Sequence, residues 1–477
     1  LTGKVILSTP HTGSSEDTQL QRALSLWDLI LYGVVVISPV GALAFFGVLS
    51  QRGHGHAATT IVIAMLAMLP TAVSYGRMAR AYPSAGSAFT YVGKEISPAL
   101  GYVTGWGMVM DYLAAPPINV IWCSQQGHVF FPGIPYWTWA VLFAALFTAV
   151  NIQGIKNSAR VNILLAAGMG VVIVVFLIAT VVYLLNHPHP GAGFFTRPFY
   201  DPKTWSGNGI LGGTSMAVLT YIGFDGISTL SEESKNPRRH ILRATIISCI
   251  VIGVLSGLEV YAAQLVWPDS QPYPNLDTAF TFVAQRAWAP LFGVVGITLM
   301  VACIGSGIGT QLAAARLLYG MGRSGALPKS FFGVLDPARH VPRNNVLLVG
   351  AFALAAALTL PLIAGEATGY ELGINLLNFG ALIAFMGVNA AAFVRYYVRA
   401  DKKTMLNLVP PVAGFFVCLL LWWNLNTQAR VLGAVWMVIG IVYGAWKTRG
   451  FRGDLVSFDF PPETNKTAPV QCLSTSS

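Results

Sequence analysis

The stretch Thr220-Tyr221-Ile222-Gly223-Phe224-Asp225-Gly226-Ile227-Ser228-Thr229 lies inside an apolar segment running from about Ile210 to Leu230. Two glycines flank an aspartate where a membrane helix would carry leucine. A carboxylate at mid-membrane depth is costly and is expected to face a cavity. Glycine lowers helix stability, so Gly-Phe-Asp-Gly is where the sequence predicts the helix to unwind and form half of a substrate site. The competing reading is a continuous glycine-rich helix packed closely against a neighbour.

The surrounding composition supports a membrane setting. Of 477 residues, 54% are hydrophobic and 10% charged, whereas soluble domains carry about 25% charged residues. This is the composition of an all-α polytopic membrane protein. The five cysteines, Cys123, Cys249, Cys303, Cys418 and Cys472, form no CxxC pair and indicate neither a disulfide framework nor a metal site. Residues Leu1 to Gln19 lack the basic-then-apolar layout of a cleaved signal peptide. The first spanning helix is expected to act as an uncleaved signal anchor.

A spanning helix needs about 20 apolar residues, and twelve candidates can be placed. Their approximate bounds are 26–49, 57–80, 100–130, 136–151, 159–185, the opening segment, 241–267, 290–319, 345–363, 372–398, 409–423 and 431–446. This count puts 24 of the 29 lysines and arginines on one side; Arg52, Arg197, Lys203, Arg286 and Arg430 fall on the other. Such a bias predicts that both termini are cytoplasmic. It also accounts for the net charge of +10 without nucleic acid, because the cations are spread over several cytoplasmic loops. Two loops, Ala85 to Ser97 and Met321 to His340, are amphipathic, and after about Asp454 the chain turns polar and reads as a disordered tail.

A second break is expected in the first span, where Ser38-Pro39-Val40-Gly41 interrupts the apolar run. Proline removes an amide hydrogen and clashes with the preceding turn, although a simple kink is the alternative. Five spans separate the starts of the two broken helices, so they cross in opposite directions. Two inverted five-helix repeats, each opening on a discontinuous helix, form a known transporter architecture with substrate at the midplane. The expected division is a cytoplasmic segment at 1–24, a first repeat at 25–185, a second at 209–398, a helix pair at 406–448 and a cytoplasmic tail at 454–477.

Several segments together resemble the amino acid–polyamine–organocation transporter superfamily over almost the whole chain. They are Ser74-Tyr75-Gly76-Arg77, Tyr82-Pro83-Ser84-Ala85-Gly86-Ser87-Ala88-Phe89-Thr90-Tyr91, Gly101-Tyr102-Val103-Thr104-Gly105-Trp106, Gly223-Phe224-Asp225, Glu232-Glu233-Ser234-Lys235-Asn236-Pro237, and Arg316-Leu317-Leu318-Tyr319-Gly320-Met321-Gly322-Arg323. Asp111-Tyr112-Leu113, Pro117-Ile118-Asn119-Val120, Asn378-Phe379-Gly380-Ala381-Leu382 and Ser38-Pro39 look most like the bacterial putrescine importers of that superfamily. The resemblance implies the 5+5 inverted repeat, with helices 1 and 6 discontinuous and helices 11 and 12 appended. Two departures matter. Many relatives bind a substrate carboxylate with glycine amides where this chain has Ile37-Ser38-Pro39-Val40-Gly41, which favours an amine without a carboxylate. The lysine that several proton-coupled relatives carry in helix 5 is replaced by Met169.

A diamine needs carboxylates, carbonyls or aromatic faces, since buried cations require partners and a cation–π contact contributes about 0.5–2 kcal/mol. The substrate-binding candidates are Asp225, Tyr112, Asp111, Phe224, Gly223, Ser38, Pro39, Gly41 and Tyr32. For Asp225 a gating role is the alternative, and for Asp111 a helix–helix hydrogen bond. Gating or proton-coupling candidates are Asp225, Glu232 and Glu259. Glu232 would alternatively pair with Arg238 or Arg239, and Glu259 could be a rim charge. Ser306 and Thr310, four residues apart on helix 8, are candidates for an ion site or for helix hydrogen bonds. His54 and His56 could sense pH or be solvated loop residues.

These residues predict a secondary active importer of a small organic amine such as putrescine, working by alternating access in the bacterial cytoplasmic (inner) membrane. The expected coupling ion is a proton, with sodium as the alternative. No cofactor or metal is expected, and the oligomeric state is monomer or loose homodimer. The alternatives are a permease or exchanger for a neutral or cationic amino acid and, from another class, a receptor or channel. GxxxxGK[ST], HExxH and GxSxG are absent, so ATP drive and an enzymatic role are not expected.

Overall fold

The computed structural model describes residues 24–451, apart from 39, 83–86, 155–158, 188–190, 192, 230–233, 269–271, 324–326, 338, 340, 365–367 and 402. The first span is in three pieces, α1 (Leu26–Ile37), α2 (Gly41–Ala44) and α3 (Phe46–Arg52). Then come α4 (Ala57–Ala81), α5 (Ser87–Glu95), α6 (Pro98–Phe130), α7 (Tyr136–Gln153) and α8 (Ala159–Asn186). The opening segment forms α9 (Gly207–Ala217), a 3-10 turn (Val218–Tyr221) and α10 (Gly226–Thr229). The remainder is α11 (Pro237–Val266), α12 (Ala279–Ala287), α13 (Leu291–Arg323), α14 (Lys329–Phe332), α15 (Arg343–Ile363), α16 (Gly369–Phe393), a π turn (Val394–Val398), α17 (Met405–Trp423) and α18 (Thr427–Lys447).

Local chemistry sets these ends. Ser25 and Asp28 form a reciprocal cap at the start of α1: the Ser25 amide donates to Asp28 Oδ2 at 2.8 Å, and the Asp28 amide to Ser25 Oγ at 3.3 Å. Thr368 Oγ1 accepts from the Glu371 amide at 3.0 Å and starts α16. Ten helices among the described residues are long and apolar enough to cross a membrane. The other two expected spans are the fragmented first one and α6, which carries Pro116, Pro117, Asp111, Asn119 and Gln126 along its length.

The packing pattern is that of an inverted repeat. Corresponding members of the two halves meet: α1 packs on α10 and α3 on α9, α4 on α11, α6 on α13, and α7 on α15. An axis relating the halves within the membrane plane brings such partners together. The two broken spans therefore face each other at the axis, α2 also touching the 3-10 turn. The buried core wraps this centre, whereas α17 and α18 leave Phe416, Trp423, Val435 and Val442 exposed, as suits lipid.

Candidate functional site

Span 6 breaks where its sequence runs out of helical options. The Ile222 backbone becomes extended (ψ 128°), and Gly223 takes φ +120°, a region that a β-carbon would strain. The helix resumes at Gly226, whose amide donates to Gly223 O at 3.0 Å, followed by Ile227 N–H to Phe224 O at 3.2 Å and Ser228 N–H to Asp225 O at 2.9 Å. The Asp225 side chain turns back across the break. The Gly223 amide donates to Asp225 Oδ1 at 3.2 Å. Ser228 Oγ donates to the Asp225 carbonyl at 2.5 Å. The segment is thus discontinuous, as the glycines around Asp225 predict, and its carboxylate is held by its own turn.

The carbonyl end of α9 is handled from α16. Asn378 Nδ2 donates to the Ser215 carbonyl at 3.0 Å and to the Met216 carbonyl at 3.3 Å. In span 1 the break lies at Ser38, whose φ is +69°. Its amide still reaches Val34 O at 3.2 Å, and Gly41 N–H donates to Ser38 O at 3.1 Å. Pro39 lies outside the described residues. Trp122 Nε1 of α6 donates to Ala44 O at 2.7 Å and fixes the end of α2.

The structure brings several candidates together. Gly380 of α16 lets α6 approach so closely that a β-carbon there would lie 2.8 Å from the Asp111 amide nitrogen. Asp111 is thereby within electrostatic reach of Asp225, and Tyr112 within reach of Asp225, Asp111 and Tyr32. Ser38, Gly41, Gly223, Asp111, Tyr112 and Asp225 are all partly buried, and Tyr32 is exposed. Phe224 is fully buried, stacked on Phe385 with centroids 5.3 Å apart and meeting Tyr75 edge-on. Elsewhere, Thr310 Oγ1 donates to Ser306 O at 2.8 Å, spending that hydroxyl on its own helix, while Ser306 is exposed. Glu232 lies outside the described residues. Glu259 is fully buried on α11, not at a rim. Among the described residues no group of three His, Cys, Asp or Glu side chains could hold a metal ion.

Above the breaks sits a cavity of about 780 Å³ whose lining includes Arg52, His54, Asn208, Met216, Glu371 and Asn375. Arg52 of α3 forms an ion pair with Glu371 of α16 across it. Asp277, in the loop before α12, is also buried, and burial pushes its carboxyl up to about 6. His56 is buried as well, which lowers its pKa; it meets Thr204 Oγ1 at 3.2 Å and packs edge-on to Trp205. On the opposite side, Glu95 of α5 is clamped by Arg395 at 2.5 Å, Arg399 at 3.0 Å and the Tyr82 hydroxyl at 2.6 Å.

The sequence marks Arg52 only as a loop cation and Asn378 only within a resemblance, and it does not single out Glu371, Trp122 or Glu95. A signal existed for part of this set. Glu371, Asn375 and Asn378 recur at i, i+4 and i+7 in an apolar span, which marks one polar helix face.

A fold of two inverted halves, with an acidic break at its centre and ion pairs of buried carboxylates on either side, is that of a transporter. The chain belongs to the amino acid permease family, whose model matches residues 34–448. It is 34% identical to the low-affinity putrescine importer PlaP of Escherichia coli K12, covering 94% of this chain and 98% of that protein. It is 27% identical to the branched-chain amino acid permease BcaP of Lactococcus lactis, over 91% of this chain and 96% of the relative. To the methylthioribose transporter of Bacillus subtilis it is 25% identical, over 91% and 95%.

Proposed function

We propose that this chain imports a small organic diamine such as putrescine across the bacterial cytoplasmic membrane by alternating access, driven by protons. One observation carries the reading. The span 6 break carries its own carboxylate, Asp225, held there by a 3.2 Å bond from the Gly223 amide, while the amides that resume the helix are spent on the carbonyls of Gly223, Phe224 and Asp225. Asp111 adds a second acid within electrostatic reach. A ligand carboxylate would meet like charge here, and an ammonium group would meet compensation. Tyr112 and Tyr32 offer hydroxyls and ring faces for the second ammonium or the methylene chain. The importer of Escherichia coli, similar over 94% of this chain, adds weight to the same ligand class.

Alternating access then follows from the closures. The Arg52–Glu371 pair would gate the outer side, and the Glu95 cluster with Arg395 and Arg399 the inner side. A ligand that neutralises the central acids lowers the cost of occluding them, which biases the equilibrium between states. Uptake of labelled putrescine into proteoliposomes, with and without an inward proton gradient, tests the reading. The expected result is saturable uptake that rises with the gradient. Saturable uptake competed by amino acids but not by diamines would instead select an amino acid permease.

A further inference from the structure

We propose that Glu259 of α11 is the residue that carries the coupled proton, an assignment that rests on the proton-driven reading above. Glu259 is 0% exposed. Neither of its carboxylate oxygens has a hydrogen-bond partner among the described residues. A carboxylate left in a membrane interior without a partner costs far more than protonation does, so the group is neutral in this state.

Its place on the helix matters. Ser248 marks the α11 face that meets span 1, since its hydroxyl donates to Ile30 O at 3.3 Å. Glu259 follows by three helical turns, on about the same face. Ile252, Ser256 and Ala263 on that stripe are each 0% exposed. The face is continuous with the breaks, for α11 also packs on α2 and on the 3-10 turn of span 6. Ser256, one turn nearer the centre, has a buried hydroxyl without a partner.

The titratable groups on the elements packed against α11 are Asp28 and Tyr32 on α1, Tyr75, Arg77 and Arg80 on α4 with His56 just before it, Tyr221, Tyr183 on α8 and Arg286 on α12. On α11 itself are Arg239, His240, Arg243, Cys249 and Tyr261. None of these bonds to Glu259. Arg286 is turned to Tyr183 at 3.0 Å, Tyr221 to Ile61 O at 2.7 Å and Tyr261 to Phe195 O at 3.0 Å.

Such a group exchanges its proton only when rearrangement of the breaks lets water reach it. Opening inward, the acid O–H bond breaks, its electron pair stays on the carboxylate and the proton passes to water. Opening outward, the carboxylate takes a proton from external water. Substrate binds at Asp225 while the proton rides on α11, so the two ligands are coupled through the moving half-helices and not by competition for one carboxylate.

The test uses the full chain in proteoliposomes with labelled putrescine. For one coupled proton, each pH unit of inward gradient raises accumulation about tenfold. Glu259→Gln, an isostere of the neutral acid, is expected to abolish that response while putrescine exchange continues. Glu259→Asp, which keeps the acid, is expected to retain it. A packing role predicts the reverse order, with Gln tolerated and the shorter Asp impaired, and a gradient response surviving in Glu259→Gln overturns the proposal. Infrared spectra of the purified protein provide a readout that needs no substrate. The neutral carboxylic carbonyl band at pH 7 should lose intensity in Glu259→Gln, and an unchanged band overturns the assignment even if putrescine proves not to be the substrate.

Discussion

The two broken spans solve one problem in different ways. Span 1 breaks without a charge: Ser38 holds a positive φ of 69°, and the carbonyl end of α2 is tied to Trp122. Span 6 breaks around a charge: Gly223 turns freely at φ 120°, and the Asp225 carboxylate accepts from the Gly223 amide. An unpaired backbone end inside a membrane has to be satisfied by something. In span 1 Trp122 of α6 does this; in span 6 Asn378 of α16 holds the carbonyl end, and the local Asp225 carboxylate accepts from the Gly223 amide. Both breaks lean on a side chain from another helix, and only span 6 adds a carboxylate of its own. That difference can be broken by substitutions that separate charge from geometry.

Asp225→Asn should have the largest effect. Asparagine keeps an Oδ1 acceptor for the Gly223 amide, so the turn is retained while the charge is lost. Removing one partner of a buried charge pair costs about 2–5 kcal/mol, and putrescine affinity in a binding assay should fall by about thirtyfold or more. Unchanged affinity and transport would remove Asp225 from the site. Thermal unfolding should shift little, which distinguishes a ligand contact from a structural one.

Asn378→Leu comes next and acts on stability. It strips the Ser215 carbonyl of its buried side-chain donor and leaves Met216 O with the Val218 amide alone, and an unsatisfied buried group costs about 1–3 kcal/mol. The melting temperature of the detergent-purified protein should drop. Trp122→Phe, which frees only Ala44 O, should lower it less. If Trp122→Phe proved the more damaging, span 1 and not span 6 would be the more dependent on outside support.

How far these features were legible in the sequence follows the same division. The break at Gly223-Phe224-Asp225-Gly226 could be read because glycine and a lone acid in an apolar run act locally. The amphipathic loop at 85–97 does contain a helix, α5, for a similar reason. The face of a helix was not legible: the sequence places Glu259 in the C-terminal half of α11, and only packing shows that it is fully buried. Pairs far apart in the chain were out of reach. Arg52 and Glu371 meet across 319 residues, and nothing local to either marks the partner. Phe224 shows the converse error risk, since an aromatic beside the key acid packs into a ring cluster with Tyr75 and Phe385.

The smallest expected effect lies at Ser38. A serine at φ 69° and ψ 118° is outside the usual regions for a residue with a β-carbon. Such strain costs about 1–3 kcal/mol and is retained where a site gains from it. Ser38→Gly removes the steric part but adds chain entropy to the unfolded state, so the net stabilisation should be under about 1 kcal/mol. Gly223→Ala imposes at φ 120° the strain that glycine avoids and should lower the melting temperature. Opposite signs for these two substitutions would show that span 1 stores strain at its break and span 6 does not. If Ser38→Gly destabilised the protein instead, the side chain would be anchoring the break, and the assignment of support to Trp122 alone would fail.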